Sequence, residues 1–288
     1  MHPAEITEAY PAALLSPEQA LKTLVWKRRL GKIWRKISTV APNPTPRALV
    51  LTYHSVGLSE RSLRMAKFEA QMRLLKDRAR VVPLLELLSG PSASGGNPAC
   101  AVTFDDGYAS VYDNAFPIMR SLGLPATVYL TTGAIGDNGV RRSSSDAGLY
   151  PGEPMLTWSL VRELENGGIT IGSHLSRHKD LTRLNREQAI LELISSRDAI
   201  EHRIGSPCRD LSYPWGRTSA QVVPWVKECG YRSAATTRHY PVGAKTNPFV
   251  VPRMDIRPEY SLADFEAILD GDWDYLGAAQ ILRERVFR

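Results

Sequence analysis

Residues 103–108 read Thr-Phe-Asp-Asp-Gly-Tyr, so two adjacent carboxylates, Asp105 and Asp106, end an apolar run that a glycine closes. Further along, His174 and His178 stand four residues apart. Hydrolytic divalent-metal sites need about three protein ligands and an open position. His174, His178 and Asp106 supply two imidazoles and one anion. That set leaves a divalent ion net positive, and therefore Lewis-acidic toward water and a carbonyl. The two imidazoles face the same way if the loop that carries them takes a helical turn. Adjacent carboxylates rarely ligate one small ion together, which leaves Asp105 free to take a proton as a general base. A nearby cation keeps it ionised.

These residues need elements to position them. From Arg47 onward, β-rich runs alternate with helical patterns. The expected strands are Ala48–Tyr53, Ala101–Phe104, Ala126–Thr131, Ile169–Gly172, Asp210–Tyr213, Arg232–Ala235 and Val250–Ile256. The expected helices are Ala66–Asp77, Ala109–Ser121, Thr157–Asn166, Arg186–Arg203 and Thr218–Cys229. Strands alternating with helices favour a parallel α/β fold, of which a barrel is one closed form. In such barrels the reactive groups sit at the C-terminal strand ends. His54, Asp105, Asp106, His174 and the run Tyr213-Pro214-Trp215-Gly216 all fall at such ends. A long irregular segment, Gly136 to Pro154, reads as a lid or a surface insertion.

Ahead of this domain, Ser16-Pro17-Glu18-Gln19 is a helix start: a Ser N-cap, Pro at the first helical position, and Gln three residues after the cap. Trp26, Leu30, Ile33, Trp34 and Ile37 follow at helical spacing with bases between them. This basic amphipathic helix suits either contact with a membrane surface or packing on its own protein. The alternating prolines of Ala41–Pro46 suit an extended linker. The expected organisation is therefore a helix and linker over residues 1–46 and a catalytic domain over 47–288.

Of the 288 residues, 43% are hydrophobic and 23% charged, ordinary for a globular protein. The net charge of +6 is local: residues 22–36 hold seven bases and no acid, and the rest of the chain sums to −1. That argues against a nucleic-acid-binding body. Cys100, Cys208 and Cys229 are too scattered for a disulfide framework or a zinc knuckle, and read as small buried residues. No apolar run approaches the ~20 residues of a membrane span. Met1–Ser16 lacks the charged start and apolar stretch of a secretory signal. The expected location is cytoplasmic, peripheral to the inner face of the membrane if residues 22–37 dock there.

Three segments carry a family resemblance. Thr103–Gly107, Ser173–His178 and Ser212–Gly216 resemble, in order, the first three motifs of the polysaccharide deacetylases, the NodB-homology group also called carbohydrate esterase family 4. The resemblance runs from about Arg47 to about Ile256. It implies a distorted (β/α)7 barrel, here with an N-terminal helical extension. It also implies a Zn²⁺-type ion, with Co²⁺ or Ni²⁺ as alternatives, held by Asp106, His174 and His178. Asp105 would be the base, and the Tyr213-Pro214-Trp215 segment would contact substrate, the Trp215 backbone N–H helping to hold the oxyanion. The implied reaction is hydrolysis of an acetyl group from an N-acetylated glycan.

Two departures stand out. The third motif commonly carries an Arg two residues before the Pro, orienting the base, and this chain has Ser212. Arg253, in the last expected strand, is the candidate replacement. The late Leu-x-His motif that supplies the general acid is missing, since no histidine follows His239. Leu51-Thr52-Tyr53-His54 instead resembles the circularly permuted exopolysaccharide deacetylases, which implies that His54 is the acid. A deformylase or deacetylase of a lipid-linked sugar and an O-acetyl esterase are the enzymatic alternatives. A catalytically dead carbohydrate-binding barrel is the non-enzymatic one. A serine hydrolase is disfavoured for want of a G-x-S-x-G elbow.

Overall fold

The structure, a computed structural model, describes residues 17–38, 47–57, 62–90, 97–143, 152–278 and 280. The expected Ser16 cap, the 41–46 linker and residues 144–151 of the long loop lie outside these.

The chain divides into two compact units, Pro46–Glu259 and a second formed by Met1–Thr45 with Tyr260–Arg288. In the larger unit the strands are β1 (Ala48–Tyr53), β2 (Arg80–Val81), β3 (Ala99–Phe104), β4 (Thr127–Leu130), β5 (Thr170–Ser173), β6 (Asp210–Ser212), β7 (Ser233–Ala235) and β8 (Met254–Asp255). All pair in parallel in the order β7-β6-β5-β4-β3-β1-β8, with β2 beside β3. The expected distorted α/β barrel is the fold observed. β2 was not expected, because two residues carry no readable period.

The expected strand Val250–Ile256 is shorter and does two things. Val251 bridges Ala235 of β7, and three residues on, β8 pairs with β1. One segment thus ties together the two ends of the strand order. Its Pro252 cannot donate to a ladder, which explains why pairing breaks there.

β1 and β3 are buried along their whole length. Parallel strands covered on both faces read as continuous apolar runs, as ALVLTY and ACAVTF do. Their register sets Tyr53 opposite Phe104, so His54 and Asp105 leave the sheet side by side. Phe68, from the helix Met65–Arg78, packs edge-on to Tyr53 with ring centroids 5.3 Å apart. The helix Arg186–Ile204 buries Ala189, Glu192, Leu193, Ser196 and Ile200, one face of a 3.6-residue period. It starts with a capping box between Asn185 and Gln188. The three cysteines are free and buried.

In the smaller unit the helix Pro17–Ser38 and the helix Leu262–Asp270 are joined by ion pairs. Arg28 grips Asp264 through two nitrogens, each at 2.6 Å, and Arg35 bonds Asp272 at 2.5 Å and Asp270 at 3.1 Å. Gly31 sits against Trp273, where a Cβ would lie 3.1 Å from the indole. Among the described residues no helix is long and apolar enough to cross a membrane.

Candidate active site

Asp105 and Asp106 follow β3 directly and are both buried. Asp106 holds left-handed backbone (φ 73°) and Gly107 continues the turn (φ 87°). A Cβ on Gly107 would lie 3.1 Å from both Ile135 and Leu130, so the residue is needed for space as well as conformation. The turn sends the two carboxylates in different directions.

His174 leaves β5, and its Nδ1 lies 2.8 Å from the Ser212 carbonyl oxygen. A carbonyl only accepts, so Nδ1 carries the proton and Nε2 presents a lone pair. That Nε2 is 3.4 Å from Asp106 Oδ1, and His178 Nε2 is 3.5 Å from the same oxygen. No helical turn forms between the histidines. Leu175 (φ 67°) and His178 (φ 50°) are left-handed instead. The amides of Thr132 and Gly133 donate to the carbonyls of Leu175 and Ser176 at 3.1 and 2.9 Å, bonds a helical turn would have satisfied internally. Glu192 holds the same loop, accepting from the Arg177 backbone N–H at 3.0 Å and from its Nε at 2.6 Å.

Asp106, His174 and His178 each offer one ligand atom, all within 4.8 Å of one another. Asp106 Oδ1 is buried with no hydrogen-bond partner. A buried, unsatisfied carboxylate oxygen costs about 1–3 kcal/mol or more, and a cation between these three donors would satisfy it. Burial, followed by the neighbouring His174, pushes the His178 pKa well down, which keeps it neutral and its lone pair available. Burial also raises the pKa of Asp106, against the opposing pull of His174 and His54. The donor set therefore fits a divalent ion of the zinc class.

Asp105 is held quite differently. Arg253, fully buried, donates from Nη1 to Oδ1 at 2.8 Å and from Nη2 to Oδ2 at 2.7 Å. Ser212 Oγ donates to Oδ2 at 3.1 Å and itself accepts from Arg253 Nη2 at 2.8 Å. Arg253 is braced by the Thr236 carbonyl at 2.8 Å, by Thr103 Oγ1 at 3.2 Å, and by the Tyr129 ring at 5.6 Å. Burial alone would raise the Asp105 pKa. The Arg253 guanidinium outweighs it, helped by His174 and His54, and holds this carboxyl well below the usual carboxylate range.

His54 is half-buried just past β1, close enough for its charge to bear on Asp105, Asp106 and His178. In the Pro214–Gly216 turn, Trp215 is left-handed (φ 55°) and packs edge-on to His178 with ring centroids 4.4 Å apart. Tyr213 is buried, its hydroxyl bonded to the Phe249 carbonyl at 3.1 Å. Arg217 Nη1 donates to Asp180 at 3.0 Å, tying the loop after β6 to the loop after β5. Four of the five non-glycine residues with positive φ among the described residues stand in these loops: Asp106, Leu175, His178 and Trp215. Strain of about 1–2 kcal/mol each gathers where side chains must be aimed.

The structure thus gathers Asp105, Asp106, His174, His178 and Arg253, with His54 and Trp215 at the margin. Sequence reading missed Glu192, Thr103 and Thr236, and treated Ser212 only as a missing arginine. Glu192 left one legible signal, an acid on the apolar face of an amphipathic helix. Thr236 acts through its backbone carbonyl, which no sequence pattern reveals.

Comparison with known proteins agrees. Residues 93–234 match the family model described as polysaccharide deacetylase. YxkH of Bacillus subtilis (strain 168), which carries a polysaccharide deacetylase name, is 27% identical over 239 residues, covering 81% of this chain and 79% of its own. The poly-beta-1,6-N-acetyl-D-glucosamine N-deacetylase of Staphylococcus aureus (strain MRSA252) is 22% identical over 205 residues, 67% of each chain. Among solved structures, the Streptococcus pyogenes deacetylase PplD in complex with acetate superposes with a TM-score of 0.65 at 20% identity, covering 78% of this chain and 98% of its own. IcaB from Ammonifex degensii gives 0.63 at 19% identity, covering 79% and 97%. Fold, motif order and sequence matches together make this chain similar to the polysaccharide deacetylases.

Proposed function

We propose that this protein hydrolyses N-acetyl groups on an amino-sugar polysaccharide, with Asp105 as base and His54 as acid. One observation carries the reading: three converging ligand atoms, on Asp106, His174 and His178, stand beside a separate carboxylate that Arg253 keeps ionised. Two buried carboxylates in adjacent positions have been given opposite environments, one cationic and one lacking a partner on Oδ1, as a division of labour requires.

Asp106, His174 and His178 would hold the divalent ion, which when bound supplies Lewis acidity to water and to the acetyl carbonyl. Asp105, ionised across the working pH range, accepts the proton of the attacking water. The Trp215 backbone N–H stabilises the oxyanion that forms on the acetyl carbon's oxygen. His54 donates a proton to the amine nitrogen as the C–N bond breaks, since an unprotonated amine departs poorly. Acetate and a free amino sugar result. For the substrate we take an N-acetylglucosamine polymer, following the S. aureus relative's name.

The test is metal analysis of the purified protein together with acetate release from N-acetylglucosamine oligomers. The expected result is bound or restorable metal and activity that Asp105→Asn removes. Absence of metal, with no activity on adding Zn²⁺, Co²⁺ or Ni²⁺, overturns the reading.

A further inference from the structure

The helix Pro17–Ser38 carries two faces, and on one of them, among the described residues, it meets residues 260–275. Lys27, Arg28 and Arg35 bond Tyr260, Asp264, Asp270 and Asp272, and Gly31 lies against Trp273. Leu24, on the same side, is buried. At 3.6 residues per turn, Trp26, Leu30, Ile33 and Ile37 fall within about 60° of arc on the opposite side. They are exposed by 61%, 43%, 55% and 63%. Sequence periodicity alone leaves open whether this stripe packs inward or meets a membrane surface. The inward face is the one bearing the three ion-pairing or hydrogen-bonding bases.

Four further bases, Lys22, Arg29, Lys32 and Lys36, are exposed on this helix. Lys22, Arg29 and Lys36 border the apolar stripe along one edge, with Lys32 behind them. After Glu18 the helix carries no acid. The Arg29 guanidinium lies 5.9 Å from the Trp26 ring, so a cation and an indole are presented together.

We propose that this face docks on a membrane surface containing anionic lipid. The helix lies in the interface, Trp26, Leu30, Ile33 and Ile37 entering the acyl boundary, while the flanking bases meet headgroup phosphates. Charge selects this occupant. A second copy of the chain would set Arg29 and Lys32 against their own equivalents, like charge against like, and the helix carries no acid after Glu18 to offset them. A nucleic acid would neutralise the bases but leave four large apolar side chains in water. The inference is independent of the deacetylase reading, since it uses none of the catalytic residues.

The test is co-sedimentation of the full chain with vesicles of phosphatidylcholine alone and of phosphatidylcholine with phosphatidylglycerol. Two double variants are compared with wild type: Leu30→Ser with Ile33→Ser, and Arg29→Gln with Lys36→Gln. Wild type pellets with the anionic vesicles and far less with neutral ones. Each variant loses about tenfold in partitioning, with unchanged circular dichroism and unchanged acetate release. Hydrogen exchange of the wild type, with and without anionic vesicles, keeps the test valid if a variant misfolds: residues 25–37 gain protection on binding. Equal pelleting by folded variants, or no pelleting of wild type, overturns the proposal. So does self-association in sedimentation velocity that the stripe variant abolishes, which assigns the face to a second copy.

Discussion

Arg253 meets Asp105 as a two-pronged ion pair, Nη1 to Oδ1 at 2.8 Å and Nη2 to Oδ2 at 2.7 Å, between residues 148 apart in the chain. A parallel fork of this kind fixes the carboxylate's plane as well as its charge. Asp105 is thereby aimed, and its ionised state does not depend on an ion at Asp106.

Arg253→Lys therefore separates aim from charge. The ammonium preserves attraction but cannot reproduce the fork. Acetate release should fall about 10²-fold, the scale of a reacting group displaced by roughly 1 Å, with metal content unchanged. Asp105→Asn should lose about 10²–10⁴-fold, again with metal retained. Loss of metal in either variant would contradict the separation of base from ligand.

Ser212 occupies the place where related sequences commonly carry the orienting arginine. Its hydroxyl now bridges Arg253 and Asp105 at 2.8 and 3.1 Å. Ser212→Arg alone should destabilise the protein, because a second guanidinium enters a buried space that Arg253 already fills. Ser212→Arg combined with Arg253→Ser should recover part of that loss and part of the activity. Melting temperatures and rates in this double-mutant cycle measure the coupling, and strict additivity would show that the two positions do not share one function.

Gly216 closes the turn that presents Trp215. Its φ is +68°, and a Cβ there would lie 2.3 Å from Thr237 Oγ1 and 2.4 Å from its backbone nitrogen. Gly216→Ala should cost about 2–5 kcal/mol from strain and overlap together. That lowers the melting temperature by roughly 5–15 °C for a domain of this size. A shift under a degree would mean the turn relaxes freely.

The Arg28–Asp264 pair gives the smaller unit a pH dependence. Burial raises the Asp264 pKa, but bonds from Arg28 and Ser261 outweigh it and set it below the ordinary value. A carboxyl depressed in the folded state contributes stability above its unfolded pKa. It loses that contribution as pH falls through the folded one. Acid should therefore destabilise the helix Leu262–Asp270, and Arg28→Gln should remove part of that acid sensitivity. Hydrogen exchange of residues 262–270, compared between neutral pH and pH below about 4, where the carboxyl takes up its proton, measures it; identical profiles for wild type and variant would refute it.

Much of the scaffold was legible because its signals are local. The apolar runs of β1 and β3 and the helical pattern that begins at Arg186 depend only on near neighbours in the chain. The pairing of both histidines with Asp106 followed from residue type and strand-end position. The backbone of the His174–His178 loop did not, because amides of Thr132 and Gly133, some forty residues earlier, decide it.

The sequence by itself placed two carboxylates and the imidazoles at strand ends, and the family resemblance marked Ser212 as standing where an arginine is commonly found. Only the tertiary structure decided what replaces that arginine, since Arg253 reaches Asp105 only once the segment 248–256 has joined β7 to β1. It also decided which side of the basic helix is spent on its own protein. Periodicity reports that a helix has two faces, but a face is buried only when a partner distant in sequence covers it. Here the partners are Asp264, Asp270, Asp272 and Trp273, and they cover the side that bears Arg28, Gly31 and Arg35.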